Sequence, residues 1–158
     1  LVRLSLELSE IAFSITMLLF GAGCIFAAII IPYLSKEMTA SRIMLAGSNL
    51  LSIIFVALAF WLILFDFIWF VLLLAWFISG FGYTLLLTPM GRVIRMVSSV
   101  DEFSQVYSAQ FSLSHLCWLF MYPLSGYLMT TSGGPFTLLT LALLMVCSNI
   151  IAAWHFRS

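Results

Sequence analysis

Residues 103–130 hold the side chains best suited to chemistry. The stretch is apolar enough to be buried in a membrane, yet His115 lies near its middle. At about 100° per residue, Ser104, Ser108, Ser112, His115, Tyr122 and Gly126 fall on one narrow helical face. Val106, Leu113, Cys117, Phe120 and Leu124 fall on the opposite one. An ionisable group at membrane depth is costly unless it meets a partner or a water-filled cavity. Hydroxyls on neighbouring turns can hold water or a polar group, and an imidazole can donate, accept or titrate near neutral pH. The stretch therefore reads as a helix lining a polar path. His115, Ser108, Ser112 and Tyr122 line it, and Trp118, about 60° around the helix, forms an apolar wall. Tyr83 and Thr84, from another apolar segment, are expected to face the same space.

Composition sets the elements that must carry these residues. The chain has 158 residues, of which 64% are hydrophobic and only 8% charged. Soluble domains carry about 25% charged residues, and a chain of this size cannot hide so much apolar surface from water. The expectation is an all-α integral membrane protein. Net charge is zero, so no basic face awaits nucleic acid. Cys24, Cys117 and Cys147 are widely spaced within apolar segments and form no metal-binding pattern, so packing roles are expected. An intramembrane enzyme needs a nucleophile beside a base, or clustered metal ligands. One deep histidine without a deep carboxylate offers neither. No enzyme activity, cofactor or metal is expected.

The apolar runs predict five spans in one membrane domain, near 10–34, 43–65, 68–91, 103–130 and 136–156. Ser9 caps the first, and Glu10 suits its positive first turn. Ser14, Gly21 and Ala28 form a small-residue stripe along it, suited to close helix contact. Pro32 and the polar stretch 35–42 are expected to end it. The long run 43–90 must reverse at Asp66, among Phe60, Trp61, Phe65, Phe67, Trp69 and Phe70, as at an interfacial aromatic belt. Ser48 and Asn49 suit interhelical hydrogen bonds, and Asn149 suits packing. Gly80, Thr84, Thr88 and Gly91 share a face of the third span, for packing or for lining a cavity. Residues 92–102 read as a loop and 131–135 as a turn. Lys36, Arg42, Arg92, Arg95 and Arg157 then fall on one side, with only Arg3 opposite. Positive loops are cytoplasmic, so the start is expected outside a cell (inner) membrane and the end inside.

Three local features carry a resemblance. Pro32-Tyr-Leu-Ser-Lys-Glu-Met-Thr-Ala-Ser-Arg42 sits where the major facilitator superfamily has a short cytoplasmic loop of pattern G-x-L-x-D-R-x-G-R-R. Leu34 fits, Lys36 and Glu37 reverse the acid–base order, and the glycines are absent. Tyr122-Pro-Leu-Ser-Gly126 resembles the G-P-x-x-G element of that family's fifth and eleventh helices. The stretch Phe111-Ser-Leu-Ser-His-Leu-Cys-Trp118 leading into it looks like that of bacterial efflux members. The arrangement resembles a six-helix half-bundle of such a transporter without its first helix; helices two to six share the orientation, and family layout favours the carboxyl-terminal half, helices eight to twelve. The resemblance implies efflux of a small organic compound or drug by alternating access, with proton coupling through His115 or through the other half. It implies as partners the lipid bilayer, the missing amino-terminal half and a small-molecule substrate. A channel or a non-transporting membrane scaffold subunit is the alternative.

Overall fold

The computed structural model describes residues 10–65 and 68–155. Arg3, Glu7, Ser9, Asp66, Phe67 and Arg157 lie outside them, as do the side chains of Glu10 and His155. The regular elements among the described residues are all helices: α1 Glu10–Glu37, α2 Ala40–Leu64, α3 Trp69–Leu87, α4 Met90–Val97 and α5 Phe103–His155. Four segments are long and apolar enough to cross a membrane: Ile11–Glu37, Ala40–Leu64, Trp69–Val97 and Phe103–Trp154. Apolar segments take helical form in lipid because each backbone amide must be satisfied within its own segment.

α3 is the centre of a layer. It packs against α1 on one side and α2 on the other, while α1 and α2 barely touch; α2 in turn carries α5 on its far side. Glycines set the spacing. A Cβ at Gly80 would lie 2.0 Å from Phe20 O, and one at Gly23 would lie 2.0 Å from Phe77 O. A Cβ at Gly47 would lie 2.6 Å from Gly82 O on the other side of α3. Cys24 adds a thiol donor, Sγ to Gly80 O at 3.3 Å. Close backbone approach through small residues is the usual source of helix affinity in lipid, where apolar burial alone drives little association.

Two apolar clusters mark the ends of this layer. Ala27, Ile31, Ile43 and Leu85 pack at one. Leu58, Ala59, Leu72, Ala75 and Leu138 pack at the other. These contacts run α2 antiparallel to α3, with Ile43 beside Leu85 in one cluster and Leu58 beside Leu72 in the other. They bring Lys36, Arg42 and the start of α4 to one end of the layer.

Several boundaries differ from the sequence reading. Pro32 lies within α1, which continues to Glu37, and α2 begins at Ala40; the polar loop shrinks to Met38–Thr39. Pro32 is exposed. The loop expected at 92–102 is half helical. α4 buries Ile94 and leaves Arg92 and Arg95 exposed, an amphipathic pattern one face wide. The turn at 131–135 reduces to Gly133, with φ 77° and ψ 172° inside an otherwise helical run. That region is essentially open to glycine alone. Along an unbroken helix about 36 Å would separate Met121 from Met145, yet both line one cavity. The chain therefore doubles back at Gly133, giving α5 a first arm and a second arm. The second arm lies antiparallel on α2, with Leu138 against Leu58 and Asn149 beside Ser48.

The small-residue stripe on α1 is also in another register. Ser14 and Ala28 are exposed and a Cβ at Gly21 would meet nothing, whereas Thr16, Gly23, Ala27 and Ile31 are buried. The heptad repeat of small residues misled because partner shape, not size alone, selects the contact face. On α3, Gly80 makes the close approach; past its end Thr88 is exposed, and Gly91, within α4, faces open space.

Candidate functional site

The first arm of α5 begins with a cap built from the chain before it. Ser99 Oγ donates to Glu102 Oε2 at 2.7 Å, and Phe103 N donates to Ser99 O at 3.0 Å. This is the Ser-x-x-Glu pattern that opens helices. The Ser99 hydroxyl and backbone N–H hold the Glu102 carboxyl below its ordinary pKa. Arg95 lies over the Phe103 ring at 5.3 Å, tying α4 to the same start.

From that start a ladder of rings climbs one side of the arm. Ring centroids are 3.9 Å apart for Phe111–His115, 4.9 Å for His115–Trp118 and 6.2 Å for Trp118–Tyr122. His115 Nδ1 lies 2.8 Å from Phe111 O. A carbonyl only accepts, so Nδ1 is the donor in this contact. Ser108 and Ser112 are exposed on the preceding turns, and Trp118 and Tyr122 are 43% and 69% exposed. Val106, Leu113, Cys117, Phe120 and Leu124 on the other face are exposed as well. The arm thus groups His115, Trp118 and Tyr122, and around His115 both of its faces are exposed among the described residues.

Tyr83 and Thr84 stand on α3, whose close partners are α1 and α2. Tyr83 packs its ring on Phe20 at 5.8 Å, and Thr84 is half-buried. The Tyr83 ring thus meets α1 across the α1–α3 seam.

The best-buried interhelical polar group lies elsewhere. Ser48 Oγ donates to Asn149 Oδ1, Asn149 Nδ2 donates to Ser52 Oγ at 2.7 Å, and Ser52 Oγ donates to Ser48 O at 3.0 Å. Ser52 and Asn149 are 4% and 7% exposed, so this closed chain of donors fixes the second arm on α2 in an apolar setting. The sequence reading placed Ser48 correctly, assigned Asn49 to the same role and gave Asn149 to packing. Asn49 is exposed, one position too far around α2. The i, i+4 pair Ser48 and Ser52 was the available signal.

Two cavities flank this cluster along α2. One of about 510 Å³ is lined by Asn49, Ser52, Ile53, Val56, Val146 and Ile150, among others. The other, of about 680 Å³, is lined by Thr39, Ser41, Arg42, Leu45, Asn49 and Met96, with Ala153. Among the described residues no group of three or more His, Cys, Asp or Glu stands ready to hold a metal. All three cysteines are free; Cys24 packs between α1 and α3, and Cys117 and Cys147 are exposed. No family model, curated protein or solved structure matches the chain.

Proposed function

We propose that the chain is part of a secondary active transporter that moves a small organic compound outward by alternating access. In this reading the two arms of α5 are separate crossings, so the chain makes five, and they stand as helices eight to twelve of a major facilitator half-bundle. The carrying observation is the uncovered polar strip of the first arm, Ser108, Ser112, His115 and Tyr122. Lipid is a poor solvent for such a strip. A facing half of the same transporter, enclosing a watered path, accounts for it. His115 offers Nε2 to that path for cargo or proton, and Trp118 supplies an apolar wall. Lys36, Arg42, Arg92 and Arg95 at one end put that end in the cytoplasm of a cell (inner) membrane. No catalytic step or cofactor is part of this reading.

The test is counterflow of organic dyes and drugs in vesicles holding the protein that carries residues 1–158. His115→Ala should lower counterflow at least about tenfold, roughly 1.4 kcal/mol in barrier, with unchanged amounts of inserted protein. His115→Gln keeps hydrogen bonding without titration. It should preserve counterflow and abolish its pH dependence if the histidine couples protons. Intact transport and pH dependence in both variants would remove His115 from the path. Residues 1–158 alone should not transport; robust transport by them would favour a small homo-oligomeric carrier.

A further inference from the structure

The two cavities beside the Ser48–Asn149 cluster share Asn49 and Ala153, so they join into one groove between α2 and the second arm of α5. Its polar end carries Thr39, Ser41 and Arg42. Its far end is walled by Ile53, Val56, Ala57, Val146 and Ile150. Arg42, Asn49 and Val56 recur every two turns on one face of α2, so a groove from first to last is about 21 Å long. Half a bilayer, headgroups included, is about 20–22 Å thick.

Two polar side chains in this groove have no hydrogen-bond or ion-pair partner among the described residues. Arg42 is exposed, and among the described residues no carboxylate pairs with it. Asn49 lies two turns deeper, about 10 Å along the axis. Its amide is exposed toward the groove without a hydrogen-bond partner among the described residues. An amide left unpaired at that depth is expensive.

We infer that this groove is a binding site for an anionic phospholipid of the leaflet at the Arg42 end. The guanidinium takes the phosphate, with the Thr39 and Ser41 hydroxyls beside it. The Asn49 amide donates to an ester carbonyl below the headgroup. One acyl chain fills the apolar end against Val56, Ala57, Val146 and Ile150. Basic pockets between membrane helices favour anionic headgroups in this way. The inference requires that α2 and α5 lie in a bilayer; it does not require transport.

The experiment is native mass spectrometry of the intact protein in mild detergent, titrated with phosphatidylglycerol or phosphatidylcholine of matched acyl chains. The wild type should bind phosphatidylglycerol about fivefold more tightly, the size expected for one basic side chain at a headgroup. Arg42→Gln should bring the two lipids to within about twofold. Asn49→Leu should weaken both. Ala57→Phe, which fills the chain end, should also weaken both and leave the preference intact. Lipid extracted from the purified protein should be anionic phospholipid. Equal binding of the two lipids by the wild type, an unchanged preference in helical Arg42→Gln protein, or a zwitterionic or non-lipid molecule in the extract would overturn the assignment.

Discussion

Gly80→Ala tests how α1 and α3 are held together. The added Cβ would lie 2.0 Å from the Phe20 carbonyl oxygen, 2.8 Å from its carbon and 3.1 Å from its Cα. All three atoms are backbone, so no rotamer relieves the clash. Real Cβ contacts essentially never fall below 3.0 Å, so the helices must part by about 1 Å. A gap of that size forfeits about a quarter to a half of each dispersion contact along the seam, and the Cys24 thiol loses its reach to Gly80 O. Overpacking of this kind costs about 1–3 kcal/mol. Gly21→Ala is the control, since its Cβ meets nothing within 4 Å. It gains only helix propensity, up to about 1 kcal/mol. Reversible unfolding in mixed micelles should therefore place Gly80→Ala below Gly21→Ala by about 1–3 kcal/mol. Gly23→Ala should resemble Gly80→Ala. The double variant should cost less than the sum, because one separation relieves both clashes. Gly80→Ala and Gly21→Ala indistinguishable within about 0.5 kcal/mol, or strict additivity of the double variant, would refute the packing.

Gly133→Ala places a side chain where φ is 77° and ψ 172°; it should destabilise the protein by about 1–3 kcal/mol in the same unfolding measurement, and no loss would mean the reversal sits elsewhere. Asn149→Ala leaves Ser48 and Ser52 without their interhelical partner and should cost about 0.6–2 kcal/mol; adding Ser48→Ala and Ser52→Ala should cost little more, and full additivity would deny the network. Glu102 has a lowered folded pKa, so its contribution is complete above the unfolded value of 4.5 and fades as pH falls through the lower folded one. Amide exchange at the start of α5 should accordingly accelerate on acidification below that window in the wild type and not in Glu102→Gln.

The helices themselves were legible in the sequence because apolar length decides them. Their ends were harder to read. At Pro32 a helix end was expected, but a proline removes one backbone hydrogen bond and crowds the carbonyl four residues back, a local cost that a long apolar helix absorbs without ending. At Met90–Val97 two arginines looked like a loop, while Ile94, buried between them in sequence, needed the other helices to be in place before its role was visible. The grouping of His115 with Trp118 and Tyr122 followed from helical spacing alone. Tyr83 and Thr84 were assigned to the same space by segment, and segment cannot say which neighbour a face meets. For the same reason Asn49 and Asn149 exchanged roles: one residue of rotation on α2 separates a partner from a groove.

The central place of α3 bears on how the chain is made. Synthesis delivers α1 and α2 first, yet these two barely touch. Their glycines at 23 and 47 are shaped for a helix that does not yet exist. At about 5–20 residues per second, the wait from the end of α2 to the end of α3 is on the order of 1–5 seconds. During that interval two apolar helices stand in the translocon or in lipid without their proper mate, open to chaperones and to membrane proteases. Assembly is therefore by intercalation rather than by accretion. A ribosome pause before α3 has emerged would lengthen the time that α1 and α2 wait for it, whereas a pause after it has emerged would find all three helices able to meet.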